Sequence, residues 1–177
     1  MASDNTVSHI KLSTELVETS RQVGFGSAPK VQVDCKIGIA VSMTNKFVTE
    51  KLLEGAIAEL KSHGLNEITV LEVAGSFELL GGTKALLNMG HKGVLALGAV
   101  IKGETPHFDY ISQGVTNGLA AISAGGNAVG FGVLTSDTVN QAMERAGGAQ
   151  GNKGAEAALA LVQLLSGFSR LKEESDK

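Results

Sequence analysis

The sequence alternates four short, apolar, β-rich runs with longer amphipathic stretches from residue 36 onward. The runs begin at Lys36, Glu67, Lys92 and Ala128, and each is separated from the next by about 30 residues, the length of a strand, a helix and their turns. Strands joined by helices pair in parallel, and near-continuous apolar runs indicate strands covered on both faces. The pattern therefore predicts an α/β fold with a central parallel sheet of four strands.

The stretches between these runs carry the spacing of amphipathic helices. In the first stretch, Val48, Leu52 and Leu60 share one helical face, and Gly64 follows as a C-terminal cap. The same reasoning predicts four further helices: Phe77 to Asn88, a helix that Asp109 caps and that ends at Gly125, a short helix capped by Ser136 or Asp137, and Lys153 to Phe168. Strands and helices thus alternate along the chain.

Length and composition favour a single domain. A chain of 177 residues can bury a core large enough to fold without disulfides or metals. We expect one α/β domain over residues 35–170, preceded by a partly flexible arm over 1–34 and followed by a solvated tail over 171–177. A short strand at 31–33 is one interpretation of the end of the arm.

Charge and cysteine content exclude several classes of partner. The formal net charge of -3 gives no general attraction to nucleic acid or to an anionic membrane. No run approaches the roughly 20 apolar residues that span a bilayer, and the first residues lack the pattern of a secretory signal. The single cysteine, Cys35, excludes an intrachain disulfide, and we expect it to be a buried thiol. These features predict a cytoplasmic protein without nucleic-acid or membrane partners.

The junction after the third run carries the densest set of reactive residues. In open parallel sheets, ligands bind beyond the carboxyl ends of the strands, where loops lead into helix N-termini. Here Gly103 permits unusual backbone angles, Thr105 offers a hydroxyl and an amide to an anion, and His107 exchanges protons near neutral pH. The junction predicts a site for a small phosphorylated ligand, and the alternative is that His107 only caps the next helix.

Two other junctions also carry candidate residues. Arg145 and Lys153 flank a glycine-rich break, where a guanidinium and a helix N-terminus can bind phosphate. The alternative is a plain turn between helices with exposed charges. After the second run, Ser76 is expected to cap a helix, and Glu78 either binds a polyol or amine or is an ordinary first-turn glutamate.

The remaining motifs argue against metal and nucleotide chemistry. His9, His63 and His91 are expected at the surface, and no histidine or cysteine has metal-ligand spacing, so we predict no metal. The GNKG segment lacks the Walker pattern, and no GxGxxG follows the first run, which disfavours ATP hydrolysis and dinucleotide binding.

Three segments in this order closely resemble the 6,7-dimethyl-8-ribityllumazine synthase family. They are GAVIKGETPHFDY from Gly98, FGVLTSDT from Phe131 and ERAGGAQGNKGAEAA from Glu144, and the resemblance covers about residues 36–165. It implies condensation of 5-amino-6-ribitylaminouracil with 3,4-dihydroxy-2-butanone 4-phosphate to give the lumazine, phosphate and water, without any cofactor. It also implies a flavodoxin-like three-layer sandwich.

The resemblance implies roles for individual residues. His107 matches the proton-transfer histidine, Arg145 the phosphate-binding arginine, and Glu156 the acidic residue that orients this arginine. The other implied substrate contacts are Gly103, Glu104 and Thr105 for the phosphate, and Thr44, Asn45, Ser76, Phe77, Glu78, Ala99, Val100, Ile101, Phe131 and Lys153 for the ribitylaminouracil.

The chain departs from the usual family pattern beside the predicted pyrimidine pocket. Met43 and Thr44 stand where an arginine and an aromatic residue are usual. Stacking of a base on an aromatic ring contributes roughly 1 to 3 kcal/mol, so Thr44 predicts weaker substrate binding, about tenfold or more. Lys102 replaces a usual arginine, Ala74 a usual proline, and Ala149 a lysine of many members.

The resemblance also implies an oligomer. The active sites of this family lie between neighbouring subunits, so the resemblance implies that function requires at least a pentamer. The glycine-rich turn GGAQGNKG has the length seen in family members that form 60-subunit shells. Because of the departures at Met43 and Thr44, two alternatives stay open: a weakened or inactive shell-forming paralogue, and a protein that only binds lumazine or flavin.

Overall fold

The computed structural model describes residues 35–176 of the chain. The predicted arm over 1–34, with the strand considered at 31–33 and with His9, lies outside the described residues, as does Lys177.

The centre of the fold is a parallel sheet with the strand order β2-β1-β3-β4. The strands are β1 (Ile37–Ser42), β2 (Ile68–Val73), β3 (Gly93–Ile101) and β4 (Ala128–Ser136). The predicted four-stranded parallel sheet is confirmed. β1 is buried along its whole length, whereas β2 is only partly covered, because it lies at an edge of the sheet. The expectation that every strand is covered on both faces was therefore wrong for β2.

Within residues 35–176, five helices cover the two faces of the sheet. The face with α1 (Lys46–Ser62), α4 (Val139–Arg145) and α5 (Lys153–Ser175) holds a cluster that includes Ile39, Leu52, Leu95 and Leu161. The opposite face, with α2 (Leu79–Asn88) and α3 (His107–Ala124), holds a second cluster that includes Ala40, Leu86, Val94 and Leu119. Two helical layers on one sheet make a flavodoxin-like three-layer sandwich, as predicted.

All five predicted helices are present, but several of their ends differ from the prediction. α1 ends at Ser62, and Gly64 adopts the left-handed conformation, with φ 84°, in which its neighbour Leu65 donates back to the carbonyl of Leu60 at 3.1 Å. α3 begins at His107 rather than at Asp109. Asp109 therefore lies in the first turn, where a carboxylate favours the helix dipole without capping it.

Two predicted caps and one predicted end were wrong. α2 begins at Leu79, and its N-cap position is Glu78, which makes no side-chain cap bond, so Ser76 does not cap it. α4 is capped by Thr138 instead of Ser136 or Asp137. α5 continues to Ser175 instead of ending near Phe168, because the last residues are strong helix formers with no breaker among them.

The expectation that His63 and His91 lie at the surface was wrong. His63 is buried with its Nε2 3.0 Å from Oε1 of Glu59, one turn earlier on α1. His91 is also buried, and its Nδ1 lies 2.8 Å from the carbonyl oxygen of Leu86 on α2. Cys35 is buried, as predicted. None of the helices described is long and apolar enough to cross a membrane.

Candidate functional site

The carboxyl ends of the four strands form a stepped edge. β1 pairs with β3 only as far as Val41 opposite Leu97, whereas β3 continues to Ile101 beside β4. At about 3.3 Å per residue, β3 rises roughly 13 Å above its last partner on β1. This step lies between β1 and β3, where the strand order changes direction, and such a crevice is the usual ligand site of an open α/β sheet.

The loop after β1 bonds to both neighbouring strand ends. The hydroxyl of Thr44 donates to the carbonyl of Ala74 at 3.0 Å, and the side-chain amide of Asn45 donates to the carbonyl of Ala99 at 2.9 Å. Asn45 has φ 57° and ψ 45°, the left-handed conformation that asparagine tolerates better than most residues. Thr44 and Asn45 are thus brought to the step, as is Met43, which is exposed beside them.

The loop after β2 packs against β3. Ser76 is buried, and its hydroxyl lies 2.9 Å from where a Cβ on Gly98 would be, so the missing side chain of Gly98 makes room for it. The carboxylate of Glu78 folds back over Gly75 in the same way, with Oε2 2.8 Å from an added Cβ. Phe77 is 51% exposed with its ring over Gly114 of α3. Phe77 is therefore not a core residue of this chain.

The loop after β3 is open to solvent. Residues 102–107 are all exposed, and His107 is the first residue of α3. In the described part of the chain, no backbone hydrogen bond is donated by the amides of residues 103–105 or of 107 and 108. Free amides at a helix N-terminus favour an anion. Lys102 fixes the base of this loop, because its amide donates to the carbonyl of Ser136 at 2.9 Å and its Nζ lies 3.7 Å from Oδ1 of Asp137.

The end of β3 is less exposed than the loop that follows it. Ala99 is buried, while Val100 and Ile101 are partly exposed. Their partners on β4 are Leu134, Thr135 and Ser136. Because the carbonyl of Ala99 accepts from Asn45, the main chain of Val100 and Ile101 is the part of this strand end best placed to contact a ligand.

Arg145 ends α4 and bonds back to its own helix. Its Nη1 donates to the carbonyl of Gln141 at 3.0 Å. The side-chain oxygen of Gln141 accepts from the backbone amide of Asp137 at 2.9 Å, and the backbone amide of Gln141 donates to the hydroxyl of Thr138 at 3.2 Å. Thr138 and Gln141 hold the loop after β4, and sequence reasoning missed both. The signal was there, since threonine followed three residues later by glutamine is a capping box.

Lys153 and Glu156 form an ion pair at the start of α5, with the Lys153 Nζ 2.8 Å and 2.7 Å from the two carboxylate oxygens. In the segment after α4, Ala146–Gly148 and Gly151–Asn152 make a small antiparallel hairpin, β5 and β6, within the predicted glycine-rich break. The predicted orientation of Arg145 by Glu156 remains a prediction, because the carboxylate of Glu156 contacts Lys153 within this chain.

Phe131 lies away from the stepped edge. It pairs with Ala96 in the middle of the sheet and is 46% exposed on edge strand β4. An apolar groove of about 280 Å³ runs along this edge, lined by Thr116, Leu119, Ala120, Ser123, Val129 and Phe131. Between Phe131 and Leu134, which pairs with Ala99, the strand rises roughly 10 Å. Phe131 is thus not part of the strand-end cluster of its own chain.

The strand-end loops bring together most of the predicted substrate residues but not all of them. Among residues 35–176, no hydrogen bond or ion pair joins Arg145 or Lys153 to the loop 103–107. The same residues contain no cluster of three or more His, Cys, Asp or Glu side chains that could hold a metal ion. The fold and this site define a class: an α/β protein with a candidate ligand site at a stepped sheet edge, beside free amides, a histidine and the cation of Lys102.

Comparison with known proteins identifies the family within this class. A family model described as 6,7-dimethyl-8-ribityllumazine synthase matches residues 34–168. A protein of that name from Lactiplantibacillus plantarum is 52% identical over 134 residues, which cover 73% of this chain and 84% of that protein. Another of that name from Phocaeicola vulgatus is 42% identical over 153 residues, covering 84% of this chain and 90% of that protein. The chain belongs to the 6,7-dimethyl-8-ribityllumazine synthase family.

Proposed function

We propose that the chain condenses 5-amino-6-ribitylaminouracil with 3,4-dihydroxy-2-butanone 4-phosphate to 6,7-dimethyl-8-ribityllumazine, releasing phosphate and water. Family membership supports this reaction, and both relatives described above carry its name. The observation that carries the proposal is the placement of His107 at the first residue of α3, exposed and next to the free amides of residues 103–105.

The chemistry assigns separate tasks to these groups. One amine of the pyrimidine attacks the ketone, phosphate leaves by elimination, and a second amine closes the ring, so each step moves a proton. His107 is the group suited to these transfers, because imidazole gains and loses protons near neutral pH. The amides of the α3 N-terminus, with Thr105, bind the phosphate, and an added guanidinium from Arg145 strengthens this binding.

The two substrates occupy different parts of the stepped edge in this proposal. The phosphate lies over residues 103–105, and the ribitylaminouracil lies in the step, between the loop carrying Ser76 and Glu78 and the end of β3 at Val100 and Ile101. Both substrates are small molecules, and the reaction needs neither nucleic acid nor a membrane. We place the reaction in the cytoplasm, as the composition predicts, and cell fractionation tests this location.

We further propose that each site is completed by a second copy of the chain, in an assembly of pentamers that builds a 60-subunit shell. The position of Phe131 supports a shared site, because the residue is exposed in a groove roughly 10 Å below its own strand-end cluster. A ring on such an edge can pack against a ligand held by a neighbouring copy. Sedimentation and electron microscopy distinguish a pentamer, a decamer and a shell.

Subunit mixing tests the sharing of the site directly. The His107→Ala and Arg145→Ala variants are each expected to be inactive or weakened when assayed alone. The two variants are then unfolded together and reassembled. If His107 and Arg145 of one site come from different copies, about a quarter of the sites in a random ring regain both groups, and activity rises accordingly. If both groups come from one chain, the mixture is no more active than the average of its components.

The assay for the reaction needs two controls, because the condensation also proceeds without a catalyst. Purified protein is mixed with both substrates, and lumazine formation is compared with the uncatalysed rate and with His107→Ala. General acid–base catalysis contributes about 10²- to 10⁴-fold, so His107→Ala should lose most of the turnover. A wild-type rate equal to the uncatalysed rate would reject the enzymatic proposal.

A further inference from the structure

Two consecutive residues after β1 reach in opposite directions to the neighbouring strand ends. Thr44 donates through Oγ1 to the carbonyl of Ala74 on the β2 side, at 3.0 Å, and through its amide to the same oxygen at 3.2 Å. Asn45 donates through Nδ2 to the carbonyl of Ala99 on the β3 side, at 2.9 Å. We call these two side-chain contacts the Thr44–Asn45 bridge.

The bridge lies beyond the last backbone pairs of β1. β1 pairs with β2 as far as Ser42 opposite Val73, and with β3 as far as Val41 opposite Leu97. On the β2 side two further main-chain bonds follow these pairs, from the amide of Met43 to the carbonyl of Val73 at 2.8 Å and from the amide of Thr44 to the carbonyl of Ala74 at 3.2 Å, whereas on the β3 side the ladder has ended. The left-handed conformation of Asn45, with φ 57°, turns the chain into α1 while its side chain reaches β3. The bridge therefore adds a side-chain bond to the main-chain bonds on the β2 side, and on the β3 side it connects the two strand ends beyond the end of their ladder.

The two acceptors of the bridge belong to the walls of the proposed pyrimidine pocket. Ala74 directly precedes Gly75 and the loop of Ser76 and Glu78, and Ala99 precedes the exposed strand end at Val100. A hydroxyl has one proton to donate. Since the Thr44 hydroxyl donates this proton to Ala74, it can meet the pyrimidine only as an acceptor, and the bond that it donates acts on binding through the loop that it holds.

We propose that Thr44 and Asn45 are positioning residues, which fix the separation of the β2 and β3 loops and thereby set the affinity for ribitylaminouracil. The inference rests on the proposed function for the identity of the ligand. It differs from the role that family resemblance implies, because there the residue at position 44 contacts the pyrimidine itself.

Removing only the hydroxyl tests the Thr44 half of the bridge. Thr44→Val keeps the shape of the side chain, and Thr44→Ser keeps the hydroxyl, so the pair separates the hydrogen bond from the volume. Binding of 5-amino-6-ribitylaminouracil alone is measured by calorimetry, with Thr69→Val on the exposed β2 edge as the matched control. We expect Thr44→Val to weaken binding about three- to tenfold, the usual effect of one lost hydrogen bond, and Thr44→Ser to restore most of the affinity.

Asn45→Gly tests the other half, because glycine adopts the left-handed conformation without strain and cannot bond to Ala99. We expect it to raise the KM for ribitylaminouracil more than it lowers kcat. Wild-type affinity in Thr44→Val, or equal losses in Thr44→Val and Thr44→Ser, would overturn the inference. So would a wild-type protein that does not bind ribitylaminouracil. If the wild type bound ribitylaminouracil but formed no lumazine, only the proposed reaction would be rejected. The affinities of the variants would still test the Thr44–Asn45 bridge.

Discussion

The side-chain amide of Asn152 donates a hydrogen bond of 2.8 Å to the main-chain carbonyl of Lys51, 101 residues earlier in the chain. The other end of the same side chain caps α5, with Oδ1 accepting from the amides of Gly154 and Ala155 at 2.9 and 3.1 Å. Gly55 of α1 leaves the space that this side chain occupies. Asn152 therefore joins α1 to the start of α5, where Lys153 is the next residue.

Replacing Asn152 removes both of these functions. We expect Asn152→Ala to lower the free energy of unfolding by about 2 kcal/mol, since an N-cap contributes about 1 kcal/mol and a further hydrogen bond about as much. Urea unfolding at a fixed protein concentration measures the change. Asn66→Ala is the control, because the Asn66 side chain also bonds to a carbonyl, that of Gly64, but is exposed and local. Equal losses in the two variants would contradict the joining role of Asn152.

Two glycines of α5 should respond oppositely to the same substitution. A Cβ on Gly154 would overlap the main-chain carbonyl of Leu52 on α1, which cannot move aside, whereas a Cβ on Gly167 would meet nothing within 4 Å. We expect Gly154→Ala to destabilise the fold by about 3 kcal/mol, the cost of severe overpacking. Gly167→Ala should stabilise it by about 0.5 to 1 kcal/mol, because alanine is the better helix former. Thermal unfolding of both variants at one concentration compares them, and equal shifts would exclude the predicted overlap.

The elements that follow from local pattern were predictable, and the contacts between distant segments were not. The sheet follows from apolar runs at strand length, and the buried stripe of α3 at Val115 and Leu119 follows from helical spacing. The burial of His91 depends on the way the chain returns from α2 to β3, and the Asn152 contact joins residues 101 apart. Such contacts depend on how distant segments pack together, so the residue pattern around His91 or Asn152 does not predict them.

The candidate site divides in the same way. The loop 103–107 lies at a strand end and was found from residue types alone. The bond from Asn45 to Ala99 depends on the unequal lengths of β1 and β3, which become visible only once the register is known. Thr138 and Gln141 were missed although their capping-box spacing is readable from the sequence, because the adjacent Ser136 and Asp137 are equally suitable cap residues by type.

Arg145 is expected to act on the phosphate substrate and not on the pyrimidine. Arg145→Ala should raise the KM for the butanone phosphate about ten- to a hundredfold, the effect of losing hydrogen bonds to a charged group. Arg170→Ala is a matched control, because the Arg170 side chain also donates to a carbonyl four residues earlier on its own helix, but on α5. Steady-state kinetics with each substrate varied in turn measures both variants. An unchanged KM for the phosphate substrate in Arg145→Ala would exclude its binding role.

Thr44→Phe should tighten the binding of ribitylaminouracil, but by less than an added aromatic ring alone would give. Stacking contributes roughly 1 to 3 kcal/mol, while the substitution also removes the hydroxyl that holds Ala74, a loss of about 1 kcal/mol. The net expectation is an affinity up to about thirtyfold above that of the wild type, and higher still relative to Thr44→Val, which loses the bond without gaining a ring. Calorimetry compares the three variants Thr44→Phe, Thr44→Leu and Thr44→Val. If Thr44→Leu bound as tightly as Thr44→Phe, the gain would come from buried apolar area and not from stacking.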